Sequence, residues 1–376
     1  MNYIMDHFTI NINESVVDAC WKYFFNNRIL VVLDDENKFY GVLTGAEIKL
    51  AVNKSLKVKD ICNCNCKKII CDTNSEVYSE RTYEKAALIF ANNPVINSIP
   101  VINKENHFVN FILREQVYWK SLYDECQLPR MHYAYCMYNA ALDAQKLGYK
   151  SVSVIEFGVA GGNGLVNTEF HAREITRLTG VSFDIYGFDS GVGLPPNDDV
   201  KDDAYKDLPH IFKDYDYKMD EPLLRSKLQK SKLVIGNIKE TGPSFFEKYS
   251  PAPIAVMFID VDRYSSTVPI LKLLNRECSY FLPRVYMYFD DLYAEYEFQG
   301  EQLAIKEFNQ QNESIKISPE GYRDCSSEKI KDTPYGLKIT NFWGYRNIKM
   351  CHFFKHPKYN SSCKKAGLLN LERTLY

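Results

Sequence analysis

The stretch Ser151–Leu165, "SVSVIEFGVAGGNGL", decides how the larger part of the chain folds. Val152 to Phe157 is an apolar, β-branched run of strand length. Gly158, Gly161, Gly162 and Gly164 follow, in a turn whose backbone is free to take positive φ and to bring its amides close to a ligand. From about Leu165 the pattern turns helical. A strand, a glycine-rich turn and a helix open a βαβ unit, but a glycine-rich turn alone does not choose between ligands. Two details do. The spacing departs from G-x-G-x-x-G, and an acid, Glu156, stands before the first glycine. A carboxylate there repels a phosphate and attracts a cation.

Working outward, "FDIYGFD" ends in Asp189, where a ribose-binding acid at the end of a second strand belongs. "KLVIGNI" (232–238), "IAVMFID" (254–260) and "VYMYFD" (285–290) read as three more strands, with helical stretches between. Such alternation implies a parallel sheet with helices on both faces. Each strand delivers an acid or a glycine at its C-terminal end, the edge where open α/β sheets bind ligands.

Two of these ends carry paired acids. "FIDVDRYSST" (258–267) has Asp260 and Asp262, and "RVYMYFDD" (284–291) has Asp290 and Asp291. Left unpaired in a core, each would cost several kcal/mol. Four acids on two strand ends repel one another strongly unless a cation lies among them. Hard carboxylate oxygens suit Mg²⁺. The plainer reading is that Asp260 and Asp262 cap the next helix with Ser265 and Ser266, a task for which one acid is enough. S-adenosylmethionine carries an ammonium and a sulfonium and no phosphate, which suits the turn after Glu156.

These pieces resemble the macrocin-type sugar O-methyltransferases of macrolide and novobiocin tailoring, which are class I, magnesium-dependent S-adenosylmethionine enzymes. The matching motifs are "EFGVAGG", "YGFDSGVGLP", "IGNIKETGP", "DVDRYSST", "FDD" and "GEQLAIKEF", in order over about residues 150–310. The resemblance implies that Asp260, Asp290 and Asp291 hold Mg²⁺, that Asp262 is the general base, and that Glu156, Gly158, Gly162 and Asp189 lie in the cofactor site. There are departures. "YFLPRVY" replaces a Gly-Gly turn, D-D-L replaces D-D-Y with Tyr293 one place on, and an acidic insertion fills residues 197–221, with His210 inside it.

Upstream, helix, strand, turn, strand, helix occurs twice at a period of roughly 70 residues. "RILVVL", "DDENK", "FYGVL" form one hairpin, and "SIPVI", "NKENH", "FVNFIL" the other. The first helix places Val17, Cys20, Trp21 and Phe24 on one face, and the two halves are expected to pack on each other. Residues 1–115 resemble a tandem CBS (Bateman) module. "GVLTGAE" puts Gly41, Thr44 and Glu47 on its G-x-x-T-x-x-D pattern. The resemblance implies an adenine nucleotide at Thr44 and Glu47 and assembly into homo-oligomers through this module. The same two residues also spell a capping box.

The chain has 376 residues, 11 cysteines and a net charge of −2. Near-neutral charge gives no sign of a nucleic-acid or anionic-membrane surface. No leader and no run of about 20 apolar residues is read, and an odd, scattered set of cysteines suits a reducing cytoplasm. "CNCNC" (62–66) has one-residue gaps and no nearby histidine, so it reads as a connector with free thiols rather than zinc. "IKMCHFF", with His352 and then His356 beyond it, reads as a late strand. The expected architecture is α/β: a tandem CBS module (1–115), a helical connector (116–150) and a Rossmann-like methyltransferase domain (151–376). The expected function is Mg²⁺-dependent methyl transfer to a hydroxyl of a sugar or sugar nucleotide. The alternatives are a non-catalytic sensor of adenosyl ligands and a methyltransferase acting on a non-sugar acceptor.

Overall fold

The computed structural model describes residues 8–26, 29–51, 55–124, 128, 130–196, 201–202, 215–292, 297–319 and 348–358. His210 and Tyr293 lie outside the described residues, as does most of the acidic insertion. The chain divides into two units, residues 1–121 and 122–376.

In the first unit β1 (Thr9–Asn11), α1 (Val16–Asn26), β2 (Leu30–Leu33), β3 (Phe39–Leu43) and α2 (Gly45–Leu50) form one half. The second half is β4 (Ile69–Cys71), α3 (Glu80–Asn92), β5 (Ser98–Asn103), β6 (Phe108–Leu113) and α4 (Arg114–Asp124). In each, a short parallel strand joins the expected hairpin, giving the three-stranded sheets β1-β2-β3 and β4-β5-β6. These extra strands are three residues long, too short for an alternation to be read. The duplication reaches the turns. Asp34 Oδ1 accepts from the amides of Glu36 and Lys38, and Asn103 Oδ1 accepts from the amide of His107. Asn37 and Asn106 both take left-handed backbone, at φ +60° and +66°, which asparagine tolerates better than most residues.

The two halves do pack on each other: Val31, Leu33, Phe39 and Val42 share one core with Ile102 and Phe108. The Phe39 amide donates to the Asn106 carbonyl at 2.7 Å, and Asn106 Nδ2 donates back to the Phe39 carbonyl at 2.8 Å. The face of α1 differs from expectation. Val16 and Ala19 are buried, whereas Val17, Cys20 and Trp21 are exposed, Trp21 at 62%. Both stripes have helical spacing, so periodicity alone did not choose between them.

The second unit is built on a seven-stranded sheet. Its elements are α5 (Met131–Lys146), β7 (Ser151–Phe157), α6 (Asn163–Thr179), β8 (Ser182–Asp189), α7 (Glu221–Lys227), β9 (Lys232–Ile235), α8 (Ile238–Thr241), α9 (Phe245–Tyr249), β10 (Ile254–Ile259), α10 (Tyr264–Lys272), β11 (Phe281–Phe289), α11 (Gly300–Gln311), β12 (Ile315–Pro319) and β13 (Ile348–Phe353). The order is β12-β13-β11-β10-β7-β8-β9. The five strands from β11 to β9 are parallel, and β13 runs against both β11 and β12. From β7 the chain winds outward to β8 and β9, then returns to place β10 and β11 on the other side. The winding therefore reverses between β7 and β10, a switch point that leaves a crevice at the carboxyl ends.

The central strands are apolar on both faces, as parallel strands covered by helices are. On one face Ile155, Phe157, Met257, Ile259, Met287 and Phe289 form a core with Phe245, Ile270, Ala304 and Phe308 from the helices. On the other, Tyr133 of α5 stacks on Phe258 at 3.7 Å between ring centroids, and His132 stacks on Tyr288 at 4.3 Å. The expected connector over 116–150 is thus divided. Its first part is α4, and α5 is a sheet-covering helix of the second unit. Among the described residues no helix is long and apolar enough to cross a membrane.

Candidate active site

Strand register sets the site. Phe157 pairs with Phe188 on one side and Ile259 on the other, and Ile259 pairs with Phe289. The next residues, Asp189, Gly158, Asp260 and Asp290, therefore form one row along the carboxyl rim. Backbone bonds extend the ladder into that row: the Asp260 amide donates to the Phe157 carbonyl and the Asp290 amide to the Ile259 carbonyl, both at 3.0 Å. The acids at the ends of β10 and β11 converge because their strands are neighbours in register. One carboxylate oxygen from each of Asp260, Asp290 and Asp291 lies within 4.8 Å of the others. Three hard oxygen donors so grouped are a donor set for a small divalent cation.

The electrostatics fit that donor set. Burial, then the charges of Asp290 and Asp262, push the Asp260 carboxyl up to about 7, against the opposing pull of Arg130. Burial and Asp290 likewise push Asp262 up to about 6, while Arg263 and a hydrogen bond with Asp291 oppose the rise. Crowded carboxylates hold protons when no cation is among them. Asp262 has φ +60°, and the Arg263 amide closes a three-residue turn onto the Val261 carbonyl at 2.6 Å. Aspartate, like asparagine, tolerates left-handed backbone in such a tight turn. Neither Asp260 nor Asp262 is seen capping α10. The Ser265 amide instead donates to Asp202 Oδ1 at 2.8 Å, and Asp202 is 2% exposed.

The glycine turn is placed with the rim. A Cβ on Gly158, which has φ +84°, would stand 1.7 Å from the Asp260 carbonyl oxygen, so the turn's approach to β10 requires glycine. Gly162, at φ +80°, begins α6, and a Cβ there would meet Leu224 at 2.1 Å. Asp189 fastens this turn. Its Oδ2 accepts from the amides of Val159 and Ala160, each at 2.9 Å, and its Oδ1 from the amide of Gly191 at 2.7 Å. Asp189, expected at the end of the second strand as a cofactor residue, thus spends both carboxylate oxygens on backbone amides of the turn and of the following loop.

Glu156 differs from expectation. It is 2% exposed and lies under the start of α6, where a Cβ on Gly164 would stand 1.9 Å from its Oε1. Tyr133 donates to that Oε1 at 3.0 Å, and Oε2 has no hydrogen-bond partner among the described residues. Burial pushes the carboxyl up to about 8. With no cation beside it, the buried carboxyl favours its protonated form.

Several residues of the site carried no signal that sequence reasoning used. Tyr288 donates to Asp290 Oδ1 at 2.6 Å, and its position two residues before Asp290 on one strand face was readable in "YFDD". Glu301 is fully buried, and its Oε2 accepts from the Asp291 amide at 3.2 Å. Arg130, left-handed at φ +47°, places positive charge near Glu156 and Asp260. Nothing local in the sequence ties it to strands over 20 residues away. In the first unit, Thr44 and Glu47 form the capping box of α2, with the Thr44 amide donating to Glu47 Oε2 at 2.8 Å. Cys62 and Cys64 are free thiols with sulfurs 3.6 Å apart.

No protein-family model and no curated protein matches the chain. Solved CBS-domain structures resemble its N-terminal part. CBSX2 in complex with AMP is 19% identical over 30% of this chain and 86% of its own, with a TM-score of 0.25. The CBS domain pair of protein MJ0100, in complex with 5′-methylthioadenosine and S-adenosylmethionine, has the same identity, coverages and score. A CBS domain-containing protein of unknown function from Bacillus anthracis is 14% identical over 32% of this chain and 87% of its own, with a TM-score of 0.27. Likeness at this level carries neither ligand nor activity to this chain.

Proposed function

We propose that the second unit transfers a methyl group from S-adenosylmethionine to a hydroxyl of a sugar or sugar nucleotide, with Mg²⁺ held by Asp260, Asp290 and Asp291. The observation that carries this reading is the convergence of those three carboxylates within 4.8 Å at the carboxyl rim beside the switch point. The ion, when bound, lowers the pKa of a hydroxyl that it contacts. Asp262 is the general base. A cation among the neighbouring acids would offset the Asp290 charge that raises its carboxyl, leaving it ionised to take the hydroxyl proton as the oxygen acquires the methyl group and S-adenosylhomocysteine departs. Tyr288 and the Glu301 carboxylate hold Asp290 and the Asp291 backbone in place. The turn from Gly158 to Gly162, fastened by Asp189, offers backbone amides and a close wall to the adenosyl donor. Positioning of donor and acceptor supplies much of the rate.

Mass spectrometry of the full chain incubated with S-adenosylmethionine, Mg²⁺ and a panel of nucleotide sugars tests this. The reading expects a monomethylated sugar and S-adenosylhomocysteine. Tighter binding of NAD than of S-adenosylhomocysteine overturns the cofactor assignment.

A second reading, a non-catalytic sensor of adenosyl ligands, rests on the duplicated hairpin module of the first unit. AMP, ATP and S-adenosylmethionine should then shift the melting of the full chain through the first unit. Thr44 and Glu47 are engaged in their own cap, so a ribose there would have to share them.

A further inference from the structure

Residues Tyr215 to Leu224 run along the carboxyl rim. At one end the Tyr215 amide donates to the Leu194 carbonyl and the Leu194 amide to the Asp216 carbonyl, both at 2.9 Å. Gly193 permits that pairing, since a Cβ there would stand 2.4 Å from the Asp216 carbonyl oxygen. At the other end Leu224, 2% exposed, lies against Gly162 of the glycine turn. Between them Met219 is buried, and Asp220 caps α7 by accepting from the Leu223 amide at 3.1 Å. The segment thus bridges the loop after β8 and the turn after β7, and it is anchored at three points.

Two tyrosines on this tethered segment stay more than half exposed, Tyr215 at 58% and Tyr217 at 54%. Both have left-handed backbone, at φ +69° and +63°. That is a real outlier for a bulky side chain and costs about 1–3 kcal/mol at each. Partial burial, then the charges of Asp262, Asp216, Asp260 and Asp291, hold the proton on the Tyr217 phenol.

We infer that Tyr217 supplies the aromatic face on which the acceptor's sugar ring lies, so that its hydroxyls reach Asp262 and the three grouped acids. This rests on the methyltransferase reading above. The C–H bonds on one face of a pyranose carry partial positive charge, and the face of an aromatic ring is negative, so the two attract when stacked. Acids grip hydroxyls but give a ring no apolar contact, and Tyr217 supplies that contact beside them.

The test compares the full chain with Tyr217→Gly and Tyr217→Phe. It measures S-adenosylhomocysteine and Mn²⁺ binding by calorimetry, melting temperature, and turnover of dTDP-rhamnose, UDP-glucose and methyl rhamnoside. Glycine relieves the backbone and removes the ring. The expected result is a melting temperature equal to or above the parent's, unchanged Mn²⁺ and S-adenosylhomocysteine affinity, and an acceptor KM raised roughly tenfold, with kcat changing less. Phenylalanine should bring KM back to within about threefold of the parent. An unchanged KM in Tyr217→Gly overturns the inference, as does loss of stability and of both affinities together, which marks a structural residue. A parent that binds both probes but methylates none of the three sugars overturns the sugar-ring assignment alone. A parent that binds neither probe removes the methyltransferase reading, and the inference falls with it.

Discussion

Replacing Glu156 with glutamine should stabilise the protein increasingly as pH rises. Glu156 is 2% exposed, with Tyr133 donating to one oxygen. Burial pushes its carboxyl from 4.5 up to about 8 in the fold. A group whose folded pKa is raised contributes fully below its unfolded value and loses that contribution as pH rises toward the folded one. The window is therefore pH 4.5 to 8. Each pH unit inside it is worth about 1.4 kcal/mol, so about 3 kcal/mol is lost between pH 5.5 and 8. Glutamine keeps an acceptor for Tyr133 and does not titrate. For a unit of this size 1 kcal/mol moves the melting temperature by about 2–4 °C. The melting-temperature gap between Glu156→Gln and the parent should thus widen by roughly 6–12 °C from pH 5.5 to pH 8. Scanning calorimetry at four pH values in that window reads it directly. A gap that stays constant with pH would show that Glu156 ionises normally and is not held as argued.

Gly158→Ala forces a Cβ to 1.7 Å from the Asp260 carbonyl at φ +84°, and it should lower stability by several kcal/mol or prevent folding, as read by chemical denaturation. Asp262→Asn should retain Mn²⁺ and S-adenosylhomocysteine affinity while turnover falls roughly 10²–10⁴-fold, and a normal rate would remove Asp262 as the base. Glu47→Ala should cost about 1 kcal/mol as the loss of a capping box, with no change in any AMP-induced melting shift. If that shift disappears as well, Glu47 is a ligand residue.

How much of this was readable varied by element. The five parallel strands and the hairpin repeats were, because apolar runs bounded by turn residues report themselves over four to nine residues. β1 and β4 were not, since three residues carry no period. The wrong stripe was chosen on α1 because Val17, Cys20 and Trp21 repeat with the same helical spacing as Val16 and Ala19. In the site, the acids of "DVD" and "FDD" were visible as strand-end carboxylates, but their convergence depends on register between β10 and β11, which no single stretch encodes. Glu156 was visible as an acid at the glycine turn, but its burial was not, since that is created by α6 and by Tyr133 on α5. Arg130 and Asp202 reach the rim through chain separations that local pattern does not report, and Glu301, though it lies inside "GEQLAIKEF", showed no sign of its contact with the Asp291 amide.

On this reading Asp260, Asp290 and Asp291 together hold one divalent cation. Titration of Mn²⁺ into the full chain, followed by the paramagnetic resonance of the free ion, tests it most directly. One Mn²⁺ per chain should bind and be displaced by Mg²⁺, with affinity lost in Asp290→Asn and kept in Asp262→Asn. Equal Mn²⁺ binding by the parent and Asp290→Asn, or none by the parent, would contradict it.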